Sequence, residues 1–285
     1  MDRTGIAIIG ATAMVVTGIL PWDRAVAGVD AHTLVLLFGM MIVAAYLRLS
    51  GFFRLVTDWA VTRARTPSGL LAMIIGASGG LSALFVNDVV CLVMVPVVVD
   101  AIRRLRLPPL PYLVALATAA NVGSVATLTG NPQNMLIGSF SGISYRTFLF
   151  HQIAVAVIGL VVVFVVIRER YRHEFPAALE LAALPVRYPV HYGLMAKTLA
   201  VVLIMLGAFL AGVPIALVAI AGAAYTLLTR RVNPDKVYRE IDWKLLVLFS
   251  GLFVVIGGVE ASGLAEDLLE VAAAVGLHRP ASSPW

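Results

Sequence analysis

Gly123-Ser124-Val125-Ala126-Thr127-Leu128-Thr129-Gly130-Asn131-Pro132-Gln133-Asn134 interrupts an otherwise apolar segment running from 110 to 140. The residue before a proline is pushed out of the α region, so Asn131 is expected to be non-helical. Pro132 then fits the first position of a helix that Asn131 caps. The free N–H groups of a helix starting there carry partial positive charge, which makes a ready site for an anion. Thr127, Thr129 and Asn134 would add hydroxyl and amide contacts, while Gly123 and Gly130 permit unusual dihedrals and close approach of a ligand. The competing account is a proline-kinked helix packed by small residues. Twelve consecutive positions of this polar density speak against it.

The chain around this stretch is apolar. Of its 285 residues 60% are hydrophobic and 13% charged, against roughly 25% charged in a soluble domain, and the mean hydropathy is +0.95. A water-soluble enzyme, a disordered chain and a nucleic-acid module are excluded, and the fold class is an all-α polytopic membrane protein. A span takes ~20 apolar residues, and 4–20, 32–49, 150–167, 195–212, 213–229 and 244–262 qualify. Arg3, an apolar run and Ala25-Val26-Ala27 imitate a signal peptide, but Pro21-Trp22-Asp23-Arg24 separates the run from that tripeptide, so a retained first span is expected. Residues 50–66 read differently: Phe52, Phe53, Val56, Trp59 and Ala60 form one face, opposed by Arg54, Asp58 and Arg63, as in a short helix lying in the interface.

A second interruption lies upstream. The apolar run 68–103 passes Gly76, Gly79 and Gly80 to Phe85, meets Asn87-Asp88 and continues to Val99 with no room for an aqueous loop. This predicts a re-entrant hairpin with the polar pair at its tip. Irregular backbone at membrane depth survives only where it is buried in protein or lines a wet cavity, and an intramembrane carboxylate defaults to a functional role. Asn87 and Asp88 are therefore candidates for cation coordination (Na+) or proton exchange. Capping of the arm that runs to Val99, which Pro96 would kink, is the purely structural alternative. Two such breaks are the best sequence pointer to a transport site.

Positive charge orders these segments. With the N-terminus in the cytoplasm, 68–103 entering and leaving on one side and 110–140 crossing once, every Lys and Arg except Arg24, Arg146 and Arg279 falls on the cytoplasmic side. Offsetting the sequence by 212 positions pairs Asp30, Leu34, Val35, Leu36, Gly39, Val43, Ser50 and Gly51 with Asp242, Leu246, Val247, Leu248, Gly251, Val255, Ser262 and Gly263. The two copies run in opposite directions through the membrane, the inverted-repeat plan of many secondary transporters. Residues 1–229 then hold the first repeat with its N-terminal and connecting spans, and 230–285 open a second. Counterparts of Asn87 and Asn131 would fall near 299 and 343, and the chain stops at 285 after a tail from His278 to Trp285 that looks unrelated. The second repeat is thus expected to be incomplete, as in a truncated product.

Other residues carry less. Cys91, the one cysteine, admits no intramolecular disulfide and reads as packing. Asp100 precedes Arg103 and Arg104 by helical spacing and reads as a local pair. His32 and His151 read as interfacial anchors, and the setting of Glu260 stays open. No Walker loop, HExxH or Cys/His cluster is present, and no serine–histidine or paired-aspartate arrangement points to an enzyme.

Phe85-Val86-Asn87-Asp88-Val89-Val90-Cys91-Leu92 with Pro96, and Gly123-Ser124 through Thr127, Gly130-Asn131-Pro132-Gln133-Asn134, Gly138 and Ser141-Gly142-Ile143-Ser144 to Phe148, resemble the two motifs of the arsenite-permease and citrate-transporter-like (divalent anion permease) branch of the ion transporter superfamily. The resemblance covers roughly 5–270. It implies a secondary carrier in a cell inner (plasma) membrane that moves a di- or tricarboxylate, arsenite or a similar oxyanion, coupled to Na+ or H+ and requiring no cofactor. Thr127, Thr129, Gly130, Asn131, Pro132 and Asn134 would hold the anion, with Asn87 and Asp88 on the coupling ion, and a homodimer is implied by analogy. A Na+/H+ antiporter leaning on Asp88 is the alternative within that class; a non-transporting scaffold or inactive truncated product is the alternative outside it.

Overall fold

The structure, a computed structural model, describes residues 2–175, 190–228 and 232–263. Arg187, Arg230, Arg231, Arg279 and the tail from His278 lie outside the described residues. The described residues form α-helices: α1 (Arg3–Val16), α2 (Trp22–Ala27), α3 (Ala31–Ser50), α4 (Phe52–Arg63), α5 (Pro67–Leu84), α6 (Asn87–Arg104), α7 (Pro109–Ser124), α8 (Pro132–Ser141), α9 (Tyr145–Arg170), α10 (Tyr192–Leu210), α11 (Ile215–Leu228), α12 (Pro234–Tyr238) and α13 (Trp243–Ala261). Of these, α3, α5, α9, α10 and α13 are long and apolar enough to cross a membrane, and the chain is an all-α polytopic membrane protein.

The expected span over 4–20 is shorter than its apolar run. α1 stops at Val16, where the Thr17 and Gly18 N–H groups close on the Ala13 and Val15 carbonyls and Gly18 takes φ +75°. On α4 the face also differs. Phe53, Thr57, Ala60 and Val61 are buried while Trp59 is 53% exposed, so Trp59 sits with Arg54 and Asp58 rather than with the apolar face assigned from sequence.

The repeat reaches further than the identities at 30–51. α1, α2 and the start of α3 recur at the same offset of 212 as α11, α12 and the start of α13, and Ala7-Ile8, Gly10-Ala11 match Ala219-Ile220, Gly222-Ala223. The equivalent ends are built alike. The Asp30 carboxylate accepts from the Thr33 N–H and the Asp242 carboxylate from the Leu245 N–H; Ser50 and Ser262 each donate to the carbonyl three residues back; Gly51 and Gly263 both adopt positive φ, +87° and +75°, a helix-ending conformation that glycine enters without a Cβ clash.

The chain divides into two compact units, Met1–Leu34 with Asp242–Trp285, and Val35–Ile241. In the first, α1 packs on α13, and a Cβ at Gly251 would come 3.0 Å from the Ala7 backbone. In the second, α3 meets α11, and a Cβ at Gly39 would come 2.7 Å from the Ala219 backbone. Ala7 and Ala219, like Gly39 and Gly251, are repeat equivalents. The same glycine-on-alanine contact is thus made twice with the copies exchanged, a close approach of backbones typical of helices packed in lipid.

Within the second unit α5 and α6 form a hairpin joined by Phe85 and Val86. Its open end is fixed: the Tyr112 hydroxyl at the start of α7 donates to the Pro67 carbonyl at the start of α5 (3.3 Å). Asp58 of α4 lies within the electrostatic reach of Asp100 and Arg104 at the end of α6. Asp100 pairs with Arg104 (2.7 Å), the local pair read from its spacing. From that end α7 runs beside α5 in the same direction, Gly123 against Gly79 and Thr127 against Ala83. α9 returns antiparallel, placing Gly159 beside Val122 and Phe175 beside Tyr112. At the base of the unit Arg48 of α3 pairs with Glu240.

Candidate functional site

The parallel course of α5 and α7 brings the two breaks in the sequence together. α7 has 16 residues, about 24 Å, and α8 has ten, about 15 Å. Neither helix alone matches the ~30 Å of a hydrocarbon core, so a crossing by this segment would carry the break inside that core. The backbone N–H of Asn87 donates to the Gly130 carbonyl (2.9 Å), and its Nδ2 donates to Asn121 Oδ1 of α7 (3.3 Å). The Thr127 hydroxyl donates across to the Ala83 carbonyl, in the last turn of α5. One junction thus contains the C-terminus of α5, the N-terminus of α6 and the N-terminus of α8.

The 125–131 loop is built as its sequence indicates. Asn131 is extended (φ −151°, ψ 160°), its side chain accepts from the Asn134 N–H (2.7 Å), and Pro132 opens α8. The rest of its polar complement is turned inward. Asn131 Nδ2 donates to the Ser124 hydroxyl (3.0 Å), which donates to the Asn121 carbonyl (2.7 Å). Asn134 Nδ2 donates to the carbonyls of Thr127 (2.8 Å) and Ser124 (3.1 Å). Thr129 shares a hydrogen bond with the Tyr145 hydroxyl of α9 (3.3 Å). Thr127, Thr129, Asn131 and Asn134 are all buried. Asn131, Asn134 and Thr127 thereby satisfy backbone groups around the broken helix.

The expectation for the two glycines is corrected. Neither Gly123 nor Gly130 has positive φ. A Cβ at Gly123 would fall on the Gly79 carbonyl, and one at Gly130 on the Ser124 carbonyl. Their closeness serves the protein's own backbone. In the first turn of α8, Pro132 has no N–H, Asn134 is capped and the Met135 N–H bonds to the Asn131 carbonyl. Gln133, exposed, supplies the N–H of that turn without a hydrogen bond among the described residues.

The hairpin bend is the opposite case. Val86 is the N-cap of α6 and makes no side-chain cap, so Asn87 is a first-turn residue and not the cap. Asp88, next to it, is exposed. Three buried side-chain atoms among the described residues lack a hydrogen-bond partner, and two of them, Ser82 Oγ and Asn87 Oδ1, flank this bend. An oxygen buried without a partner costs about 1–3 kcal/mol. Ser82 lies in the last turn of α5, where helix carbonyls concentrate negative potential, and Asn87 in the first turn of α6. Buried oxygens without donors suit a bare cation. Among the described residues no group of three His, Cys, Asp or Glu could hold a transition metal.

Asn121, Ser82 and Tyr145 were not singled out from sequence. Asn121, the one amide side chain in a mostly apolar helix, is the signal that could have found the first. Ser82 and Tyr145 carry no comparable mark. His151 is exposed with Nδ1 on the Thr147 carbonyl (2.7 Å), and Glu260 is exposed on α13.

Helices long and apolar enough to cross a membrane, an offset repeat and two helix breaks that meet at one junction mark a transporter type of membrane protein. The chain belongs to the citrate transporter family, whose sequence profile matches residues 1–283. It is 31% identical over 285 residues to an uncharacterized transporter of Mycobacterium tuberculosis, covering 95% of this chain and 67% of that one. A Mycobacterium bovis transporter is 28% identical over 95% of this chain and 66% of its own length. A silicon efflux transporter of Oryza sativa subsp. japonica is 39% identical over 149 residues, 52% of this chain and 31% of that one. The chain spans about two thirds of the length of the mycobacterial relatives it matches.

Proposed function

We propose that this chain carries the ion- and substrate-facing repeat of a secondary transporter that moves a small anion with Na+. The observation that carries the reading is the junction itself. A bend with two donor-less buried oxygens, Ser82 Oγ and Asn87 Oδ1, is hydrogen-bonded to a loop that opens a helix toward Gln133. Negative helix ends and carbonyl oxygens favour the cation, and a half-helix N-terminus favours the anion. The anion is a di- or tricarboxylate, arsenite or a similar oxyanion; the citrate family and a relative named for silicon efflux support that range. It sits ahead of α8 at the Gln133 N–H, with Thr127, Thr129, Gly130, Asn131, Pro132 and Asn134 holding that helix end in place. The membrane is the plasma (inner) membrane, and a cytoplasmic N-terminus is supported by the distribution of Lys and Arg.

Proton coupling through Asp88 is the second reading, favoured by its exposure in the first turn of α6. Uptake of radiolabelled citrate or arsenite into proteoliposomes, driven by either a Na+ or a pH gradient, separates the two. Sodium-driven uptake that survives Asp88→Asn and is lost in Asn87→Ala is the expected result. Uptake driven by pH alone and abolished by Asp88→Asn would replace Na+ with H+. Absence of uptake under both gradients, from monodisperse protein, would leave transport by this chain without support.

A further inference from the structure

We infer that Asn121 is a positioning residue that fixes the Asn87 side-chain amide with its oxygen turned to the cation. This rests on the Na+ reading above and adds to it a residue outside both sequence motifs. Asn121 lies twelve residues after Pro109, about 18 Å along α7, and its side chain is exposed. At that depth a primary amide has no place against lipid chains unless it has polar company. Its company is Asn87: Oδ1 of Asn121 accepts the Asn87 Nδ2–H (3.3 Å).

The consequence follows from the shape of an amide. Asn87 has an oxygen at one end and two N–H donors at the other, and rotation by half a turn exchanges them. The backbone bond from the Asn87 N–H to Gly130 anchors the main chain but leaves that rotation open. An acceptor at Asn121 holds the NH2 end, which leaves Asn87 Oδ1 in the buried position where it has no donor. With a donor or an apolar group at 121, the amide is free to turn and present N–H to the cation, which repels it. Outer residues that orient a ligand in this way typically change ion affinity about 10–100-fold.

Equilibrium binding of radioactive Na+ to the purified chain in detergent, with choline as the balancing cation, tests the assignment. Asn121→Leu removes the acceptor, Asn121→Asp keeps it, and Asn121→Ala removes it without added bulk should the leucine variant not purify as a monodisperse species. The expected result is a loss of Na+ affinity of about tenfold or more in Asn121→Leu and Asn121→Ala, with affinity kept or tightened in Asn121→Asp. Wild-type affinity in the leucine or alanine variant would overturn the assignment. So would an aspartate variant as weak as the alanine one, because a purely packing role does not distinguish an oxygen acceptor. If the wild-type chain itself shows no saturable Na+ binding, the cation reading fails and the role of Asn121 fails with it.

Discussion

The two helix breaks meet at one junction yet are built on opposite principles. The loop after α7 has the higher polar density, and nearly all of it is spent internally: Asn131, Asn134, Ser124 and Thr127 satisfy carbonyls and N–H groups that the broken helix left open. The bend after α5 has few polar side chains, and two of their oxygens are left without a donor. Polar density in the loop thus goes to repairing backbone, and the deficit of partners at the bend is what the proposed cation site rests on. On that reading the loop is scaffold and the bend is the cation's receptor.

The largest expected effect breaks the scaffold. Gly123→Val or Gly130→Val places side-chain atoms on the Gly79 or Ser124 carbonyl and should destabilise by at least several kcal/mol, seen as loss of the monodisperse peak on size exclusion. Gly76→Ala, with open space around the added Cβ, should purify normally.

Next comes the contrast between two asparagines. Asn134→Ala removes donors from the buried Thr127 and Ser124 carbonyls and should cost about 2–4 kcal/mol, read as a lowered unfolding temperature. Asn87→Ala removes one side-chain bond to an exposed partner and should cost about 1 kcal/mol or less. Asn87→Ala should nevertheless abolish the Na+ response that Asn134→Ala keeps. Ser82→Ala sharpens the point: it deletes a buried hydroxyl that makes no hydrogen bond, so thermal stability should hold or rise while Na+ affinity falls.

The smallest effect lies at the open end of the hairpin. Partial loss of solvent raises the Asp58 carboxyl above its ordinary 3.8, against the pull of Arg104 and Arg54. The fold thus disfavours the ionised form, a penalty present at neutral pH that fades as pH falls through the Asp58 pKa. Asp58→Asn should raise the unfolding temperature slightly at pH 7, and the gain should vanish below about pH 4.

Much of the scaffold was legible from sequence because it rests on local chemistry. Asn131-Pro132 determines its own cap and helix start, and Asp30 and Asp242 mark equivalent helix entries that the structure bears out. The repeat was visible where Asp, Gly and Ser-Gly broke the background of Leu and Val. It was missed over α1 and α11, where the matching Ala, Ile and Gly are common in any span. The first span came out too long because an apolar run does not report Gly18 leaving the helix. Asn87 stood out as a polar residue in an apolar run. Its pairing with Asn121 did not, because contact across 34 positions follows from the parallel packing of α5 and α7 and not from the local sequence.

The most direct test is thermal unfolding of the purified chain in detergent across a Na+ titration, comparing wild type, Asn87→Ala and Asn134→Ala. A ligand that binds the folded state raises its unfolding temperature. The expected result is a saturable rise in wild type, none in Asn87→Ala, and the same rise from a lower starting point in Asn134→Ala. A rise retained in Asn87→Ala and lost in Asn134→Ala would place the cation in the loop and contradict the division between scaffold and receptor.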